Sequence, residues 1–235
     1  MKKILFVIIV LTTCINFYAQ ETQDIDPSKP TNLYTQINTL GEVSLGNGFN
    51  TYGSRINFQY AFNPDNLILA EVPLLYNDAT QSFGLSDVRV RYFHALKRYT
   101  DQKVFAIAPF ADVTMPTGDA QKGLGADTWS LAGGVVVGVM LSEKASLFPG
   151  LSYVYLTEPE ISGVGLQTNL SYSFSKRTFL FVNPIATFLE NQTIWTGEFN
   201  LNHIVTPNKF KINIGWYPNF TNEIHAIRGG ATFFL

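Results

Sequence analysis

The feature that most limits what this chain can fold into is an alternation of apolar and polar residues with period two. Arg55, Asn57 and Gln59 alternate with Ile56, Phe58 and Tyr60, and Asp87, Arg89 and Arg91 alternate with Val88, Val90 and Tyr92. Gln167, Asn169, Ser171 and Ser173 alternate likewise with Leu166, Leu170, Tyr172 and Phe174. Successive side chains of a strand point to opposite faces, so such stretches carry one apolar and one polar face. Turn-forming residues divide the pattern into strands over 34–45, 52–62, 66–76, 83–96, 103–116, 127–141, 145–156, 163–174, 177–190, 193–205, 208–217 and 224–235. That is an all-β chain of about twelve strands, an even number, as in single-chain bacterial barrels.

Parity alone leaves two architectures open. In a soluble sandwich the apolar face is the core, whereas in a membrane barrel it meets lipid and the polar face lines the interior. The connections favour the barrel. One set is short and basic: Asn63 to Asn66, Lys97 to Lys103, Ser142 to Lys144, Ser175 to Arg177 and Thr206 to Lys209. The other is generally longer, glycine-rich or acidic: Gly46 to Thr51, Asn77 to Ser82, Thr117 to Ala126, Thr157 to Ser162, Glu190 to Gln192 and Pro218 to Glu223. The two sets fall at opposite ends of the strands, as periplasmic turns and outer loops do in an antiparallel up-and-down transmembrane barrel. Trp129, Trp195 and Trp216 share outward parity near the outer ends, while Tyr60, Phe62, Tyr172, Phe174 and Phe210 cluster at the other rim, the pattern of aromatic girdles.

Composition removes other classes. Charged residues make up 14%, against roughly 25% in ordinary soluble domains. The longest wholly apolar run, Ile4 to Leu11, is far shorter than the ~18 residues of a spanning helix. A net charge of -2 and a pI near 5.9 offer no basic surface, so no nucleic acid partner is expected.

Lys2 and Lys3 before that run, with Tyr18-Ala19-Gln20 after it, read as a signal peptide over 1–19. Acylation at Cys14 is the minor alternative. The division is then a signal peptide (1–19), a short periplasmic segment (20–33) and a barrel (34–235), placed in the bacterial outer membrane as a monomer among lipid and lipopolysaccharide. Some 216 residues for twelve strands is about 18 per strand and connection, enough for a strand of ~9–11 residues and a loop. Cys14 is the single cysteine, so a cut after Ala19 leaves no disulfide or thiolate metal site. The end Arg228-Gly229-Gly230-Ala231-Thr232-Phe233-Phe234-Leu235 resembles the segment by which the barrel assembly machinery recognises outer-membrane proteins.

Inward parity puts Glu42, Arg55, Glu71, Asp87, Arg89, Arg91, Asp112, Glu198 and Arg228 in the lumen, with closure bringing Arg228 beside Glu42. Oppositely charged residues on adjacent strands favour a paired structural network, and the competing reading is a constriction that sorts solutes. His94, His203 and His225 are scattered, and the outward companions of His225 include no nucleophile, so neither a Ser-His enzyme nor a metal centre is expected, and no cofactor.

Two stretches carry a family resemblance. Gly84-Leu85-Ser86-Asp87-Val88-Arg89-Val90-Arg91-Tyr92, then Met115-Pro116-Thr117-Gly118-Asp119 and Gly123-Leu124-Gly125-Ala126-Asp127-Thr128-Trp129, resemble the outer-membrane family named for the MetA pathway of phenol degradation, with Ser86 where that family often has Gly. The resemblance covers about 84–156 and implies a transporter of small, aromatic or hydrophobic compounds. Read on its own chemistry, the loop Pro116, Thr117, Gly118, Asp119 is an architectural corner before it is a substrate contact, since Pro116 ends a ladder and Gly118 permits a tight turn. The channel reading competes with a closed barrel that serves as a structural or surface-binding element through acidic outer loops.

Overall fold

A computed structural model describes residues 25–46, 48–98 and 102–235, and all structural statements concern these. The expected signal peptide lies outside them. The strands are β1 (Gln36–Leu45), β2 (Asn50–Asn63), β3 (Asn66–Asn77), β4 (Ser82–Leu85), β5 (Val88–His94), β6 (Lys97–Arg98), β7 (Val104–Met115), β8 (Ser130–Met140), β9 (Ala145–Thr157), β10 (Glu160–Ser173), β11 (Thr178–Leu189), β12 (Thr193–Thr206), β13 (Phe210–Asn219) and β14 (Ile224–Phe234).

Every pairing is antiparallel, and each strand lies beside its neighbour in the chain. The last strand returns to the first, from Gln36 opposite Phe234 to Leu45 opposite His225. Three short strands share one place in the wall: β4 and β5 both pair with β3, and β5 and β6 both pair with β7. The described residues therefore form a closed, antiparallel, twelve-stave barrel.

The stave expected as one strand over 83–96 is broken. Ser86 and Asp87 leave the ladder opposite Pro73, whose carbonyl accepts the Ser86 N–H at 2.9 Å but which has no N–H to give in return. The expected asymmetry of loop lengths is also smaller. Only the β7–β8 connection is long; the β9–β10 connection shrinks to Glu158 and Pro159 because both strands run on. Below, the end holding the β7–β8 loop is the upper end, and the end holding the β2–β3, β8–β9 and β10–β11 turns is the lower.

The wall sorts its side chains strictly. On β1, Leu40, Glu42 and Ser44 are buried while Gly41, Val43 and Leu45 are exposed. Ile56, Leu131, Leu151 and Ile214 all face outward and stay exposed. Each would cost roughly 1.5–3 kcal/mol if left in water rather than transferred to an apolar phase, so an exterior of this kind suits hydrocarbon. Trp129, Trp195 and Trp216 are exposed toward the upper end, and Tyr60, Phe62, Tyr172 and Phe174 toward the lower. Phe210 is half-buried against Phe233, with ring centroids 5.0 Å apart.

Candidate functional site: a charged belt, a cavity and a plug

Three layers occupy the lumen. The uppermost is a belt of ion pairs. Glu42 on β1 accepts from Arg55 on β2 and from Arg228 Nε on β14 at 2.8 Å, and Arg55 reaches on to Glu71 on β3 at 2.7 Å. Glu42 is only 4% exposed at its side chain, so three strands converge on one carboxylate. Beside them Arg89 and Arg91 on β5 both bind Asp112 on β7, Arg89 Nη2 at 2.5 Å. Residues 89 and 91 share a face because strand parity is two, and both point at the single acid that β7 offers. The Arg91 guanidinium also lies 4.9 Å from the Phe110 ring and 5.4 Å from Phe93, and that of Arg228 lies 4.2 Å from Tyr217, which places apolar contact behind the charges.

Two of the nine expected lumen charges stand apart from these pairs. Glu198 accepts from Asn183 Nδ2 at 3.2 Å rather than from an arginine. Asp87 lies at the break between β4 and β5, where its carboxylate accepts the N–H of Gly118 at 3.0 Å and of Ala126 at 2.8 Å. Asp87 is thus a clamp on the β7–β8 loop and not a member of the belt, because the ladder has already ended at Ser86 and frees its side chain to turn.

Thr117 reinforces that clamp, its hydroxyl donating to Ser86 O at 2.8 Å and accepting from Val88 N at 2.9 Å. A Cβ on Gly118 would collide with the Leu124 backbone, so the close crossing of 118 and 124 requires glycine. Asp119 caps the short 3-10 turn Ala120–Lys122 and pairs with Lys122 at 2.8 Å. Pro116, Thr117, Gly118 and Asp119 therefore form a braced corner, with Leu124 buried beneath it.

Below the belt lies a cavity of about 270 Å³. Its polar side comes from β1, β12 and β13 through Gln36, Asn38, Asn200, Asn202, Lys211 and Asn213; Leu67, Leu69 and Phe93 form an apolar side. Gly215 leaves room here, since a Cβ would strike the Asn200 amide, and Tyr217 reaches across to donate to Asn200 Oδ1 at 2.6 Å. These amides and Lys211 were not among the expected site residues, because single amides on a polar face carry no paired-charge signal; their inward parity is the signal that places them.

The cavity floor is the segment before β1. Leu33 is buried against Ala61, Leu67 and Ala95, and Pro27 and Pro30 face the cavity. Across the lower mouth, the Ser171 hydroxyl on β10 donates to Ser28 O at 2.6 Å, and Lys29 lies 6.0 Å from the Phe105 ring. Over its described residues 25–33, the segment expected to be a short periplasmic one lies across the lower mouth as a plug, with Leu33 buried in the barrel and Ser28 and Lys29 against the wall.

The histidines lie apart from this site. His94 contacts Asn66 Oδ1 at 2.7 Å, His203 contacts the Thr178 hydroxyl at 3.0 Å, and His225 stands against Trp216 and Phe220. Among the described residues no group of His, Cys, Asp and Glu is arranged to hold a metal.

No protein-family model and no curated protein matches the sequence. Solved structures do resemble it. The KdgM porin is similar with a TM-score of 0.62 at 13% identity, over 84% of this chain and 98% of that one. The NanC porin gives 0.62 at 12% identity, over 85% and 100%. The COG4313 outer membrane channel from Pseudomonas putida F1 gives 0.59 at 13% identity, over 92% and 99%. The chain has the fold of the porin-like outer-membrane β-barrels.

Proposed function

We propose that this protein is an outer-membrane channel for small solutes. The observation that carries the reading is the layered lumen: a belt of charges above, a cavity of about 270 Å³ below it, and a plug beneath. A barrel whose interior served only to hold its wall together would be packed through, whereas here the paired arginines and acids gather at one level and a cavity lies beneath them. Twelve staves enclose a bore between the filled eight-stranded and the open sixteen-stranded barrels. The similar structures are a channel and porins, which supports passage as the role.

The solute we assign is small and at least partly apolar, in line with the resemblance of about 84–156 to the phenol-degradation family and with the apolar wall of Leu67, Leu69 and Phe93. The upper end faces outward and the lower end the periplasm, with export by the signal peptide, insertion through the C-terminal strand and a monomeric state in lipid and lipopolysaccharide. In this reading the belt residues Glu42, Arg55, Glu71, Arg89, Arg91, Asp112 and Arg228 both brace the wall and form the constriction, and the protein is not an enzyme.

One observation favours the rival, a closed structural or surface-binding barrel: the plug crosses the lower mouth. Single-channel recording in planar bilayers separates the two. Current steps from the folded protein, larger in a chain that begins at Tyr34, support a plugged channel; no steps from either chain would establish the closed barrel. Liposome swelling with aromatic against sugar solutes tests the solute class.

A further inference from the structure

The cavity has more chemistry than a simple passage requires. On its polar side Gln36 Oε1, Asn38 Oδ1 and Asn213 Oδ1 are buried without a hydrogen-bond partner among the described residues, and Gln36 is only 6% exposed. Buried amides left unpartnered are destabilising, and of the six such amides among the described residues three gather around this one cavity, where a single bound polar molecule can meet them together. An amide can turn its oxygen or its NH₂ toward the cavity. A hydroxyl both donates and accepts, so each can meet one of these amides in either orientation.

Charge adds a second requirement. The lumen acids Glu42, Glu71, Asp112 and Glu198 are matched in number by Arg55, Arg89, Arg91 and Arg228, and Lys211 is left over. Its ammonium donates to Asn202 Oδ1 at 3.1 Å and lies 5.7 Å from the Phe179 ring, and among the described residues no carboxylate pairs with it. The opposite side is apolar, formed by Leu67, Leu69 and Phe93, and the volume of about 270 Å³ lies below the ~300–1,000 Å³ of ligand pockets, a size for one ring rather than a chain of them.

We propose that this cavity is a holding site for a small hydroxylated ring acid. Its ring face lies on Leu67, Leu69 and Phe93, its hydroxyls meet Gln36, Asn38 and Asn213, and its carboxylate meets Lys211. The proposal rests on the channel reading and sharpens it by naming a solute class. Sugar acids and dihydroxybenzoates share this chemistry, and the experiment tells them apart.

The experiment is calorimetric titration of the full chain, refolded in detergent, with glucuronate, 3,4-dihydroxybenzoate, glucose and benzoate. One of the two hydroxylated acids is expected to bind saturably, with its counterpart lacking charge (glucose) or hydroxyls (benzoate) about tenfold weaker. Lys211→Gln should erase the preference for glucuronate over glucose. Asn213→Leu should abolish binding of all four; if it does not fold, as judged by heat-shifted gel mobility, Asn38→Ala should weaken the hydroxylated acids toward the level of benzoate. No saturable binding of either hydroxylated acid, or binding unchanged in Lys211→Gln and the polar-wall variant, overturns the proposal. Because no membrane is involved, a failure here leaves bilayer conductance untouched, and a silent bilayer leaves this titration untouched.

Discussion

Glu42 on the first strand and Arg228 on the last meet across the seam that closes the barrel, with Arg228 Nε 2.8 Å from Glu42 Oε2. The same carboxylate holds Arg55, so one acid ties the two strands flanking β1 through their inward faces. Glu42→Ala would leave two guanidinium groups without this partner in a confined interior. The expected loss is about 3–5 kcal/mol, lessened where lumen water screens the charges. Urea unfolding followed by tryptophan fluorescence and gel mobility measures it. A loss within error of wild type would mean that the seam does not depend on this contact.

Asp112 gives the opposite case. It has two arginines, so removing either leaves the other in place. Arg89→Ala or Arg91→Ala alone is expected to cost only about 1–2 kcal/mol, and the double variant more than the sum, since only then is Asp112 stranded. Reversal potentials on the same proteins should move toward cation preference by steps as each positive charge leaves the constriction. Strict additivity in the unfolding data would contradict the shared carboxylate.

Asp87→Ala removes the acceptor of the Gly118 and Ala126 N–H groups. Barrel mobility on gels should stay unchanged while the β7–β8 loop becomes open to protease between 117 and 126, at a cost of about 1–3 kcal/mol. Cleavage that stays at the wild-type rate would show the clamp to be dispensable.

The upper loops carry a pH dependence distinct from that of the wall. Asp78 accepts from the Asn50 backbone N–H at 2.6 Å and from its side chain at 2.8 Å, which holds its carboxyl below the ordinary value of 3.8. The Ser162 hydroxyl and N–H do the same for Glu190, below its ordinary 4.5. Depressed values mean that these links are complete above the ordinary carboxyl range and fade as pH falls through the lowered ones. Protection against hydrogen exchange, measured relative to the intrinsic rate, should therefore fall in the segments 48–50 and 78–81 below about pH 4, while that of the β11–β12 wall stays high. Asp78→Asn should make the first of these segments insensitive to pH.

The wall was legible in the sequence because alternation depends on neighbours two residues apart, which any reader of the chain can see. The strands found at 66–77 and 145–157 differ from those expected by a residue. Arg228 beside Glu42 followed from closure, since antiparallel neighbours fix register once both ends are known. What was not legible depended on long-range packing. Asp87 keeps inward parity on paper, but Pro73 on another strand ends its ladder. The plug has no periodicity, and its place is set by Leu33 finding Ala61, Leu67 and Ala95. The amide wall was hidden by a different cause: asparagine and glutamine in a polar face look like ordinary solvated residues until the segment 27–34 is seen lining the same cavity.

The pairing of Gln36 with Phe234 also bears on how the molecule is made. Every other neighbour in the wall is a hairpin partner, reached by folding the chain back on itself at once. This seam alone joins residues some two hundred positions apart, and loop closure over that distance is slow. Until it forms, the chain is a ribbon with two raw edges, each able to recruit a foreign strand. The belt, the cavity and the plug have no interior to occupy until that moment, so the step that ends the hazard of aggregation is also the one that creates a site.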